Sequence, residues 1–129
     1  MNLDTLGGYR LIRKLGEGPR AELFLAHPES DAELTRPTAV KVYRPGVTEQ
    51  SVIAEAAALS RAAGDHVVTL SDLAMGPTGV PALILDRLPG GSLSRLLRDR
   101  AALSVGEAIT ILAPLALTLD RLHQCGVAH

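Results

Sequence analysis

The hexapeptide Thr38-Ala39-Val40-Lys41-Val42-Tyr43 places one cation inside an otherwise apolar run. Its β-branched residues predict a short buried strand. Alternation then sets Ala39, Lys41 and Tyr43 on one face and Val40 and Val42 on the other. The chain has 13 basic residues, of which only Lys14 and Lys41 are lysines. An ammonium is a compact point charge, whereas Arg is a planar fork. In so arginine-rich a chain, a strand lysine has two readings. It guards an exposed edge and snorkels to water, or it meets an anion on the sheet face, phosphate oxygens among them.

A possible partner lies close by in sequence. Thr48 is placed to cap a helix. After it, Val52, Glu55, Ala56, Leu59 and Ala63 fall at helical spacing, so Glu55 sits within the apolar stripe. At the rim of the stripe a carboxylate reaches water. Facing the sheet it needs a cation, because an unpaired buried charge costs about 3–5 kcal/mol. Lys41 is one short connection away.

The rest of the chain reads in order. Tyr9–Leu15 alternates, with Tyr9, Leu11, Arg13 and Leu15 on one side and Arg10, Ile12 and Lys14 on the other. Gly16-Glu17-Gly18-Pro19 turns it into a second strand, Ala21–Ala26. Low side-chain bulk in such a turn lets backbone N–H groups approach phosphate, although a tight hairpin uses glycine equally well. After the third strand and its helix, Gly64-Asp65 marks a stop. Val67–Met75 and Val80–Leu85 then read as strands around the turn Gly76-Pro77-Thr78-Gly79. Asp86–Gly91 is a linker-like break. Ser92 caps a short helix carrying Leu93, Leu96 and Leu97. Ser104-Val105-Gly106-Glu107 is a capping box. It opens a long helix with Ile109, Leu112, Ala113, Ala116, Leu119 and Leu122 on one face, Pro114 expected to kink it or open a turn, and Gly126 ending it.

Composition narrows the function classes. The 129 residues are 47% hydrophobic and 21% charged, as in one globular domain or part of one. A net charge of −1 gives no electrostatic footprint for nucleic acid or an anionic membrane. The aromatics are Tyr9, Phe24 and Tyr43, too few for a base-stacking platform. Cys125 is the one cysteine, which excludes an internal disulfide and suits a reducing, cytoplasmic setting. His27, His66, His123 and His129 lack metal-ligand spacing, and no metal site is expected. No signal peptide and no apolar run of about 18 residues is evident.

Strands, an inserted helix after the third strand, a break and then helices form an ordered pattern. With the motifs above, the chain from Tyr9 to His129 resembles the bacterial serine/threonine protein kinase family. Gly16-Glu17-Gly18-Pro19-Arg20-Ala21-Glu22-Leu23 is similar to the family's glycine-rich loop, with Ala21 in place of the third glycine and Arg20 at the tip. Thr38-Ala39-Val40-Lys41 resembles the V-A-I-K strand, and Glu55 stands where the family's helix glutamate pairs with that lysine. Gly90-Gly91-Ser92-Leu93 resembles the segment after the hinge, and Leu122–His129 the run into the catalytic loop, with His129 as the H of H-R-D.

The resemblance implies an α+β fold: a kinase-like N-lobe with a five-stranded antiparallel sheet and one inserted helix, followed by two helices of an incomplete helical lobe. It implies a tail over 1–8, an N-lobe over 9–86, a hinge over 87–91 and the start of a C-lobe over 92–129. It implies ATP as ligand, with Mg²⁺ only in the intact protein. Leu15, Gly16, Glu17, Gly18, Ala21, Leu23, Ala39, Lys41, Leu85, Asp86 and Leu88 would surround the nucleotide, and Lys41 and Glu55 would form the ion pair. The intact protein would transfer the γ-phosphoryl of ATP to protein Ser or Thr. The family's catalytic Asp and metal-binding Asp are not among these residues, so this chain alone is expected to be inactive. The alternative is a pseudokinase-like nucleotide- or protein-binding scaffold. The protein substrate or partner is not indicated. No nucleic acid partner and no membrane segment are expected, and self-association through the apolar helix face is.

Overall fold

The computed structural model describes residues 5–129. Nine elements follow in order: β1 (Thr5–Leu6), β2 (Tyr9–Glu17), β3 (Ala21–Pro28), β4 (Thr38–Tyr43), α1 (Glu49–Ala62), β5 (Leu70–Met75), β6 (Pro81–Asp86), α2 (Leu93–Arg100) and α3 (Val105–Gln124). The strands form one antiparallel sheet in the order β1-β2-β3-β4-β6-β5. The α+β class is as expected. The sixth strand is β1, a two-residue addition paired to Arg10 and Tyr9. It falls within the stretch expected to be a tail, of which residues 1–4 lie outside the described residues.

β4 is an interior strand. Lys41 stands opposite Leu23 on one side and Leu83 on the other. The edge-guard reading of Lys41 is therefore excluded. Its neighbours divide between two cores, as alternation requires. Val40 and Val42 pack with Leu6, Ala26, Ala74, Ala82 and Ile84. Ala39 and Tyr43 pack with Val52, Ala56, Leu83 and Leu85, beneath α1. Val40, Val52, Leu83 and Ile84 are fully buried. Full burial of each such side chain contributes about 1.5–3 kcal/mol.

β2 departs from its simple alternation. Tyr9 and Leu11 pack against the first core, but Leu15 packs against the second. Register shifts between Leu11 and Arg13 and between Lys14 and Gly16 explain this. Each extra residue in a bulge flips the pleat that follows. The bulges carry Leu15 to the Lys41 face, which simple periodicity denies it.

The helices begin where their caps predict. Thr48, Ser92 and Ser104 each accept a backbone N–H in the first turn, and Glu107 closes the capping box of α3. α1 buries Val52, Ala56 and Ala62, while Ala63 is the residue after its end rather than part of its stripe. α3 continues as helix through Pro114. The buried positions of α3 are Thr118 and Leu122, whereas Ile109, Leu112 and Leu119 are exposed. α3 is apolar around much of its circumference, so its stripe alone could not choose the packed face. No helix among the described residues is long and apolar enough to cross a membrane.

Arg121 makes the choice. Its guanidinium donates to the carbonyls of Ala62 at 3.0 Å, Ala63 at 3.3 Å and Asp65 at 3.2 Å. These are groups at and beyond the C-terminal end of α1, where free carbonyls and the helix dipole favour a cation. Gly64 lies beneath the guanidinium with φ +144°, and a Cβ there would come within 3.2 Å of Arg121 Cζ. Arg121→Met keeps the stem and removes these bonds. It should destabilise the chain by about 1–2 kcal/mol in urea unfolding; an unchanged midpoint would mean that the contact does not tie α3 to α1.

Candidate functional site

Lys41 Nζ donates to Glu55 Oε1 in a half-buried ion pair. Local sequence explains the meeting. The apolar neighbours of Lys41 hold β4 in the sheet interior. Val52 and Ala56 seat α1 on that face, and Glu55 lies between them on the same side of the helix. Exposed pairs contribute about 0.2–1 kcal/mol. Removing one partner of a fully buried pair costs about 3–5 kcal/mol. This pair, with 31% and 29% of its side chains exposed, falls between those limits.

Burial of Glu55 raises its pKa. The bond from Lys41, the Tyr43 hydroxyl, and the charges of Lys41 and Arg20 outweigh that effect and hold it below the usual carboxylate value. The Tyr43 ring lies under the ammonium, with Lys41 Nζ 5.3 Å from its centroid. Tyr43 is 3% exposed. Burial and then Glu55 push its phenol well above the ordinary value.

Leu15, Ala21, Leu23, Ala39 and Leu85, expected to surround an adenosine, all join the core cluster on the Lys41 face. Ala21 pairs with Tyr43 across the sheet, so its methyl group occupies this side. Gly16 and Gly18 behave differently. Neither has positive φ, and a Cβ on either would meet open space. No positive φ therefore demands glycine at either position, although Gly18 does sit in the tight turn that joins β2 to β3.

One backbone donor and one backbone acceptor among the expected nucleotide-binding residues are engaged within the chain. Gly18 N–H donates to Ala21 O at 2.9 Å. The carbonyl of Leu88 accepts from Arg87 at 2.6 Å. In the hinge region, Asp86 N–H donates to Thr69 O at 3.0 Å, and its carboxylate accepts from Ser71 at 3.3 Å. Leu88 itself is exposed.

Sequence reasoning missed a set of charges around the loop. Arg44 donates to Gly18 O at 3.0 Å and to Glu17 at 3.1 Å. Lys14 bonds Glu17 at 3.2 Å and Glu22 at 2.6 Å. Glu17 is thus a structural partner of two cations, and its pKa is lowered, first by the Lys14 bond. Arg20, at the loop tip, donates to Ser51 in the first turn of α1. The sequence signal was present for Lys14, Glu17 and Glu22, charges on facing strands. Nothing in the spacing joined Arg20 to Ser51.

A cavity of about 520 Å³ opens on the other side of Glu55, between α1 and α3. Glu55, Leu59, Val68, Leu115, Leu119 and His129 are among its walls. None of Leu15, Leu23, Ala39 or Leu85 lines it.

A depressed carboxylate pKa stabilises the folded state above the unfolded pKa and ceases to do so as pH falls through the folded value. Lys41→Met should therefore cost stability at neutral pH, and the deficit should shrink as pH drops from about 6 to about 3. Urea unfolding across that range measures it. A deficit independent of pH would contradict the pairing.

Residues 9–129 match the family model for protein tyrosine and serine/threonine kinase. The chain is 30% identical to the probable serine/threonine-protein kinase PkwA of Thermomonospora curvata, over 96% of this chain and 17% of that protein. It is also 30% identical to the serine/threonine-protein kinase PknD of Mycobacterium tuberculosis, over 98% of this chain and 19% of that protein. A crystal structure of the Mycobacterium tuberculosis PknI kinase domain superimposes with a TM-score of 0.77 at 26% identity. That match covers 97% of this chain and 52% of the PknI chain. The chain thus spans under a fifth of the length of these curated relatives, and it belongs to the protein tyrosine and serine/threonine kinase family.

Proposed function

We propose that this chain is the nucleotide-binding front of a serine/threonine protein kinase, with ATP bound against the Lys41 face of the sheet. The observation that carries the reading is the Lys41–Glu55 pair at an interior strand. Glu55 holds the ammonium at the sheet face, where it meets the α- and β-phosphates. Two glycines whose Cβ positions open into space leave the loop backbone accessible to a triphosphate. Leu15, Leu23, Ala39 and Leu85 supply apolar contact for the adenine, with Asp86 and Leu88 at its edge. Leu88 O is engaged by Arg87, so the guanidinium would move before that carbonyl could accept from adenine.

Among the described residues no group of three or more His, Cys, Asp or Glu is arranged to hold a metal ion. No step is therefore assigned to Mg²⁺ within this chain. Phosphoryl transfer depends on positioning and charge neutralisation by carboxylates and metal. The 129 residues by themselves are assigned binding rather than transfer. The intact protein would act on protein Ser or Thr.

The loop supports a second reading, a non-catalytic nucleotide- or protein-binding module. Gly18 N–H is spent inside the turn, Pro19 has no N–H, and Ala21 carries a methyl group where the family has glycine. Each weakens close capping of a terminal phosphate without touching Lys41.

A non-hydrolysable ATP analogue at about 100 times its Kd should stabilise the chain by about 2.7 kcal/mol, read as a rise in Tm. Lys41→Ala should lower the affinity about tenfold or more while the fold survives. Equal affinity in both forms would remove Lys41 from the site. Self-association follows from the helices. Val105, Ile109, Leu112 and Leu117 are all more than half exposed on α3. Light scattering should find oligomers, reduced by polar substitutions at Ile109 and Leu112. A monodisperse monomer at high concentration would contradict this.

A further inference from the structure

The Tyr43 hydroxyl is an enclosed polar group beside the Lys41–Glu55 pair. The residue is 97% buried, since only 3% of it is exposed. Its hydroxyl has no hydrogen-bond partner among the described residues. A buried hydroxyl without a partner is rare in folded proteins. Lys41 occupies Oε1 of Glu55, which leaves Oε2 as an acceptor without a partner among the described residues. The Tyr43 ring already touches this pair through Lys41, whose Nζ is 5.3 Å from the ring centroid.

We propose that Tyr43 is a positioning residue, whose hydroxyl donates to the free carboxylate oxygen of Glu55 and completes a Lys41–Glu55–Tyr43 triad. The two donors come from one strand. Lys41 and Tyr43 lie two residues apart on the same face of β4, so one carboxylate from α1 meets both. A carboxylate held at both oxygens cannot rotate away from Lys41. The ammonium is then fixed from below by the ring and from the side by the carboxylate. The effect of Tyr43 on phosphate would pass through Glu55, not through contact. That part rests on the nucleotide reading; the triad itself does not.

Arginine and histidine side chains also lie near Glu55. Arg20 approaches it from the β2–β3 loop, and its charge lowers the pKa of Glu55 and opposes the rise of Tyr43. His66 and His129 line the cavity on the far side of Glu55. The test must therefore isolate the hydroxyl. Tyr43→Phe keeps the ring under Lys41 and removes only the O–H.

The Glu55 carboxyl can be followed by ¹³C NMR as pH is lowered, in the chain without nucleotide. A donor to the charged form holds the carboxyl pKa down. In Tyr43→Phe the carboxyl should titrate at higher pH than in the wild type. An unchanged Glu55 titration would overturn the triad, because packing alone would leave it unmoved. A double-mutant cycle provides an independent check. The loss of stability from Tyr43→Phe should vanish in a Glu55→Met background, and a loss of equal size in both backgrounds would overturn the proposal. ATP-analogue affinity should fall about threefold to tenfold in Tyr43→Phe. If the wild type binds no analogue but the Glu55 titration moves, the triad stands and the nucleotide reading falls.

Discussion

The ion pair between Lys41 and Glu55 ties the sheet to the helix that crosses it. An ammonium on an interior strand is only partly open to solvent, with 31% of the Lys41 side chain exposed. Its anion comes from α1. The caps, the apolar stripe of α1 and the choice of interior position for β4 all serve that meeting. Thr48 sets where α1 begins, Val52 and Ala56 set its rotation, and Glu55 falls opposite Lys41 as a result. At the far end, Arg121 of α3 holds the carbonyls that terminate α1. The helix carrying Glu55 is thus fixed by the sheet along one side and by α3 at its end.

A second set of charges acts on the glycine-rich turn. Arg44 and Lys14 share Glu17, and Arg44 also reaches the carbonyl of Gly18. Arg20 links the tip to Ser51. These exposed contacts are individually worth little. Together they connect a loop that lacks the family's third glycine to β2, to the residue that follows β4 and to α1. The loop's backbone at Gly18 is engaged internally, while Cβ positions at Gly16 and Gly18 remain open. That combination leaves room for a ligand while reducing the donors offered to it.

Much of this was legible in sequence because the relevant signals are local. The strand Thr38–Tyr43, the caps at Thr48, Ser92 and Ser104, and the stripe placing Glu55 inward all depend on residues within a turn or two of one another. The inward stripe position of Glu55 and the short connection from β4 pointed to Lys41 as its partner, and motif resemblance gave the same pairing. What escaped depends on distant contacts or on register. The bulges in β2 move Leu15 to the other face, and period-two counting has no way to register an inserted residue. α3 is apolar on too many sides for its pattern to select Thr118 and Leu122 as the buried positions. Arg121, 59 residues from Ala62, selects them instead. Tyr43 was placed on the correct face, but its burial against Glu55 follows from the seating of α1.

The most direct test uses the scarcity of lysine. Only Lys14 and Lys41 carry an Nζ, and they lie in different settings: Lys14 between Glu17 and Glu22, Lys41 beside Glu55. In ¹⁵N-lysine NMR of the chain, addition of an ATP analogue should shift the Lys41 signal and leave Lys14 in place. A response at Lys14 alone, or at neither, would contradict a nucleotide site built on the Lys41–Glu55 pair.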